Sequence, residues 1–202
     1  NLVLDNFKIW LGSGGDGGNA ETSTNCDPGI AEGGKGGNSG NFKMTASGSF
    51  QINSFTIEPG FGGNGGNAIA HGKPGEDGCP GKKGGDARTT GGDGADEKKK
   101  MGVEGTVNGL ENVTVGSLLG GDGGDATSNP GRGGNGTACG CGGGPGGKGT
   151  AKGGDGGDVK FTGVGAVQHD ASWDSPGNGG DATVSPALGG TGAGSAARID
   201  DV

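Results

Sequence analysis

Glycine returns in this chain on a period of three. The stretch SGGDGGNAE, residues 13–21, comes back as GGNGGNAIA from Gly62, GGDGGDATS from Gly120 and GNGGDATVS from Gly177. Such a pattern removes most ordinary secondary structure at once. Gly costs an α-helix about 1 kcal/mol relative to Ala, and it weakens strand interiors because it has no side chain to pack. The regular state that remains is the polyproline-II type helix, with three residues per turn and about 3.1 Å rise. At that period every third residue returns to the same edge. The edge residues are Asp16 and Asn19, Asn64 and Asn67, Asp122 and Asp125, and Asp155 and Asp158. They are expected to face water, leaving two bare glycine edges for neighbouring chains to approach.

Composition agrees with a core built from backbone. Gly accounts for 58 of the 202 residues, whereas Leu, Ile, Val and Phe together number 29, about 14%. That is below the roughly 20% that marks a chain able to form an oily core. Disorder is the default for such a chain, but the net charge of −8 is modest and the glycines are periodic. The acidic balance argues against a nucleic-acid partner, whose phosphates call for Lys and Arg. No apolar run approaches the roughly 20 residues that cross a bilayer, so membrane insertion is not expected. Four cysteines in Gly/Pro-rich segments indicate disulfides and an oxidising compartment, hence a secreted protein. Asn112 (NVT) and Asn135 (NGT) are candidate glycosylation sites.

The glycine words belong to a fourfold repeat. Each closes on an alanine: Ala20, Ala68, Ala126 and Ala182. The units run over about 1–51, 52–109, 110–167 and 168–202, within a single repeat domain spanning 1–202. Before the first three words, apolar residues alternate in matching register: Phe7 and Ile9, Phe55 and Ile57, Val113 and Val115. That period of two predicts strands. The fourth copy has only Trp173 as its main apolar residue. A tip containing Pro28, Pro80, Pro130 or Pro186 follows each word. A returning glycine arm comes next, taken in the last unit as GGTGAGS from Gly189, and then another strand.

Consecutive units join through strand pairs such as FKMTASGSFQINSFTIEPG. The expected fold is therefore a bundle of antiparallel polyglycine-II (polyproline-II type) helices with a small antiparallel β layer and essentially no α-helix. Val3, Phe7, Ile9, Phe55, Ile57, Val113, Val115, Val159 and Phe161 are expected to fill the β core. One strand position stays vacant. The C-terminal strand with Ala197, Ile199 and Val202 fits beside Leu2, Leu4, Phe7, Ile9 and Trp10, either within one molecule or between neighbours.

Cys26, Cys79, Cys139 and Cys141 all fall between outgoing and returning arms. Cys139 and Cys141 stand one residue apart and are expected to pair outward, to Cys26 and Cys79 in either connectivity. The words GGNGGNA and GGDGGDA, with the Cys-Pro-Gly turn at Cys79, resemble the springtail antifreeze proteins, which are bundles of such helices. The chain is also similar to glycine-rich phage tail-tip adhesins, which carry variable tips between glycine arms. The resemblance covers the glycine arms, about half the chain. It implies the bundle fold, with ice binding or surface adhesion through the tips as functional alternatives.

Other motifs read as coincidences of a glycine-rich chain. GGDGADEKK from Gly91 and GGDGGDATS from Gly120 begin like calcium nonapeptides, but Lys98 and Thr127 replace the large apolar residue. Calcium bridging between Asp rows is the one cofactor alternative; otherwise no cofactor or metal is expected. GGGPGGK from Gly142 lacks the Ser or Thr of a phosphate loop, having Gly149 instead. There is no CxxC pair for zinc, and His71 and His169 join no catalytic arrangement, so no enzyme is expected. These readings point to a secreted structural protein whose partner is itself, joined head to tail into a fibre or matrix.

Overall fold

A computed structural model describes residues 2–23, 28–40, 43–110, 113–138, 140–163, 168–169 and 174–192. The chain winds in laps, each running out in one layer and back in a second. It opens with β1 (Leu2–Leu4), turns at Asn6 (φ 51°), and runs out through β2 (Phe7–Trp10) and β3 (Ala20–Glu21). It returns through β4 (Gly29–Glu32) and β5 (Lys43–Ile52). The second lap holds β6 (Phe55–Glu58), β7 (Ala68–His71), β8 (Ala87–Thr90) and β9 (Glu97–Leu110). The third holds β10 (Val113–Val115), β11 (Ala126–Asn129), β12 (Gly149–Lys152) and β13 (Val159–Gly163). The fourth runs out through β14 (Gln168–His169) and β15 (Ala182–Val184). Among the described residues there is no helix.

Equivalent strands of successive laps pair side by side, and every pairing is parallel. The sheets run β2–β6–β10–β14 and β3–β7–β11–β15 in the outgoing layer. The returning layer contains β4–β8–β12 and β1–β5–β9–β13. The expected antiparallel layer is therefore wrong. Strands consecutive in sequence, such as β5 and β6, lie in different sheets. Each instead pairs with its counterpart one lap away, where the repeat places the same residue types opposite each other. Ala20, Ala68, Ala126 and Ala182 stand in one line across four strands.

Between the strands run the glycine arms, which repeat their hydrogen bonds every three residues. In the triplet Gly65-Gly66-Asn67, the Gly65 N–H donates to Asp122 O in the next outgoing pass, at 2.8 Å. The Gly66 N–H donates across the layers to Gly34 O at 2.7 Å. The Asn67 N–H donates to the side-chain Oδ1 of Asn19 in the preceding pass, at 2.8 Å. All three amides of the triplet are thus satisfied without strand or helix. Neither glycine has room for a side chain: a Cβ on Gly65 would run into Gly92 O, and one on Gly66 into Gly18 O.

The side-chain core is small. Ala31, Ala68, Ala70, Ala87, Ala126, Thr89 and Ser128 are buried where the two upper sheets, β3–β7–β11–β15 and β4–β8–β12, face each other. Phe55, Ile57, Val115 and Leu118 are buried at the lower end of the outgoing layer. Of the expected core residues, Val3 is instead 56% exposed, because β1 lies at a sheet edge with Val3 beside the exposed Gln51.

The passes extend further than the sequence suggests. Beyond β7 and β11 the chain continues in a second glycine stretch, where Gly72, Gly75 and Gly78 donate to Asn129, Arg132 and Asn135 carbonyls. Gly190 is likewise still outgoing, since Gly133 N–H donates to Leu188 O and Gly136 N–H to Thr191 O. The segment from Gly189, read from sequence as a fourth returning arm, therefore stacks on the third outgoing pass through Thr191. At the tip of lap two the chain reverses through a cis Cys79–Pro80 bond.

Candidate assembly interface

The GGX arms are joined by a directional ladder of Asn and Asp side chains. Asp16 Oδ1 accepts the Asn64 N–H, Asn64 Oδ1 the Asp122 N–H, and Asp122 Oδ1 the Asn178 N–H, at 2.8, 3.0 and 2.7 Å. A parallel rung runs Asn19, Asn67, Asp125, Asp181, each bond 2.8–2.9 Å. The returning layer repeats it: Asp86, Asp93 and Asp96 accept the N–H groups of Lys148, Asp155 and Asp158. In each rung the side chain belongs to the earlier lap and the amide to the later one. Asn and Asp suit this task because a short side chain places its oxygen within reach of nearby backbone N–H groups.

The edge residues Asp16, Asn19, Asn64, Asn67, Asp122, Asp125, Asp155 and Asp158 are all exposed. Sequence reasoning saw their wet edge and missed their bond to the next lap. The signal was present: all eight of these edge positions carry Asn or Asp rather than another polar residue.

Charge follows the ladder. Lys35 donates to Asp93 Oδ2 at 2.7 Å. That bond, followed by the Asp155 amide, holds the Asp93 carboxyl below its ordinary value. Asp86 is lowered chiefly by the Lys148 amide and then by Lys83. At the lap-two tip, Glu76 is lowered by Lys82 and, more weakly, by Lys73. These residues, with Pro74 and Lys83, line a shallow hollow.

Cys79 and Cys141 form a disulfide between the tips of laps two and three. Cys26, Cys139, Asn112, Ala197, Ile199 and Val202 lie outside the described residues. Asn135 sits in the ladder: its N–H donates to Asp77 Oδ1 and its own Oδ1 accepts the Thr191 N–H. The stretch resembling a phosphate loop spends its amides on the neighbouring arm, Gly144 and Gly147 donating to Gly134 and Gly131 carbonyls. Among the described residues no group of three His, Cys, Asp or Glu side chains is placed to hold a metal ion. No helix there is long and apolar enough to cross a membrane.

No family model, curated protein or solved structure matches the chain. What the geometry singles out is its two ends. All four sheets finish, among the described residues, on an open strand at each end of the stack: β1, β2, β3 and β4 at one, β13, β14, β15 and β12 at the other. Leu2 and Leu4 of β1 pair inward with Phe50 and Ile52, and Phe7, Ile9 and Trp10 of β2 with Phe55, Ile57 and Glu58. On the outward face Lys8 lies over the Trp10 ring at 5.0 Å and bridges to Glu58 at 2.9 Å.

Core positions are bared at both ends. Phe7 stacks on Phe55 with ring centroids 5.4 Å apart, yet it is 39% exposed where Phe55 is 1%. Val184 occupies the line of Ala70 and Ser128, both 0% exposed, and is itself 47% exposed.

Proposed function

We propose that the protein is a secreted structural subunit that polymerises end to end into an extracellular fibre or matrix. The observation carrying this reading is that, among the described residues, the stack of laps is open at both ends. An uncovered edge strand is a template for pairing with another chain. A contact between two different surfaces that does not close on itself generates a filament. The half-exposed Phe7 and Val184 would gain the cover that Phe55 and Ser128 already have. The Cys79–Cys141 disulfide supports an oxidising, extracellular setting. The partner in this reading is a second copy of the chain, and neither a cofactor nor a catalytic step is involved.

The joint is further proposed to include strand exchange, with Ala197, Ile199 and Val202 pairing beside Leu2 and Leu4 of a neighbour, while that neighbour's β2 edge with Phe7, Ile9 and Trp10 meets the last outgoing pass. The ice-binding alternative, implied by the antifreeze resemblance, is less favoured because two of the four aligned alanines, Ala68 and Ala126, are 1% exposed and add nothing to an apolar outer face.

Electron microscopy of the purified chain, with and without residues 196–202, tests both parts. Filaments from the full chain that are lost on deletion are expected. Filaments unchanged by the deletion would remove strand exchange and leave the fibre. Monomers alone, at high concentration, would remove the fibre itself.

A further inference from the structure

The two ends of the stack carry complementary halves of one hydrogen-bond pattern, and that pattern specifies how copies would join. At each internal boundary the earlier lap supplies glycine and alanine amides together with Asx side-chain oxygens. The later lap supplies the backbone C=O and N–H of its Asx residues. Between laps three and four, the Gly123 and Ala126 amides donate to Asn178 and Asp181 carbonyls. Asp122 and Asp125 Oδ1 accept the Asn178 and Asp181 amides.

Lap four repeats the earlier half of this set with no later lap described beyond it. Gly179 and Ala182 stand where Gly123 and Ala126 donate, and Asn178 and Asp181 where Asp122 and Asp125 accept. Lap one holds the later half: the C=O and N–H of Asp16 and Asn19, whose equivalents in laps two to four are bonded to the lap before. Pro176, in the line of the donors Gly14, Gly62 and Gly120, removes one amide from the lap-four edge. Pro130 leaves the same kind of gap in lap three, and lap four still stacks there through Gly133 and Gly136. One missing donor therefore does not block stacking.

We infer that, in the end-to-end polymer proposed above, lap one of each copy stacks in parallel register on lap four of the preceding copy. Asp16 then lies opposite Asn178, Asn19 opposite Asp181, and Ala20 opposite Ala182. Charge agrees with this register. Along the first rung the order Asp16, Asn64, Asp122, Asn178 alternates acid and amide, and the next copy's Asp16 continues the alternation. Along the second, Asp181 meets the neutral Asn19. Neither rung places two carboxylates side by side at the junction, although Asp125 and Asp181 are tolerated as neighbours within the molecule.

The inference rests on the end-to-end reading, and cross-linking separates the two. Glu21 and Thr183 are exposed and follow Ala20 and Ala182 on their strands, outside the ladder. Across the junction their Cα atoms would stand about 4.8 Å apart, within the range a disulfide spans. The double variant Glu21→Cys/Thr183→Cys, oxidised as filaments and run on a non-reducing gel, is expected to give a ladder of covalent oligomers. Glu21→Cys/Ser185→Cys, displaced by two residues or about 7 Å along the strand, is expected to give none. Filaments without a ladder from the first pair, or with a ladder from the second, would overturn the register and leave end-to-end assembly standing. A wild-type chain that stays monomeric would end the assembly reading and this register with it.

Discussion

Asn67 ties its pass to the laps on both sides of it. Its N–H is bonded to Asn19 Oδ1, its C=O accepts the Ala20 N–H, and its own Oδ1 accepts the Asp125 N–H. Replacing it by Ala keeps the backbone bonds and strands the Asp125 amide, at an expected cost of about 1 kcal/mol. Chemical denaturation of Asn67→Ala checks this; a midpoint equal to wild type would deny the ladder any energetic role. Gly66→Ala is expected to cost about 3 kcal/mol or more, because the added carbon meets the Gly18 carbonyl, which is backbone and cannot step aside. If that variant melts like wild type, the arms are not packed this closely. The ladder also fixes the sign of acid sensitivity. Asp86 and Asp93 have lowered values in the folded state, so they contribute stability above the ordinary Asp range that is lost as pH falls through those lowered values. The thermal midpoint should hold from pH 7 to about 5 and decline below about 4. A flat profile down to pH 2 would contradict this.

Among elements, the upper strands show what the sequence could and could not convey. AIAH, GIAE, ARTT and ATSN alternate small inward residues with larger outward ones, and their inward positions Ala31, Ala68, Ala70, Ala87, Thr89, Ala126 and Ser128 are buried. The period of two was legible there, yet alanine does not announce a core. It forms one here because close-packed glycine arms on either side hold the layers too near for leucine. Ala70→Leu should therefore destabilise by about 1–3 kcal/mol through overpacking, measured by thermal unfolding; a neutral or stabilising result would mean the layers stand further apart. The lower strands were easier, since Phe55, Ile57 and Val115 carry the apolar alternation that marks a buried strand face. The tips hold one cross-link whose effect follows from loop length. Cys79 and Cys141 are 62 residues apart, so removing the bond with Cys141→Ser should cost about 4 kcal/mol on the loop-entropy relation. An unchanged denaturation midpoint would argue that the bond does not form.

For the whole molecule, the fourfold repeat was legible and the pairing of its strands was not. Sequence neighbours such as FKMTASGSFQ and INSFTIEPG invite an antiparallel hairpin, the shortest way to satisfy two adjacent strands. Parallel pairing one lap away wins because it aligns the glycines and Asx residues of the outgoing arms, and the alanines that close them, largely with their own kind, as the register of Ala20, Ala68, Ala126 and Ala182 records. In the proposed fibre the same logic would make the end laps templates for a further copy. Four outgoing passes at about 4.8 Å each give a subunit rise of about 19 Å along a fibre built by continuing the stack. Helical reconstruction of filaments from electron micrographs measures that rise directly. A rise near 19 Å, with strands perpendicular to the fibre axis, is the predicted result. Filaments with strands running along the axis, or a chain that remains monomeric at every concentration, would contradict end-to-end stacking.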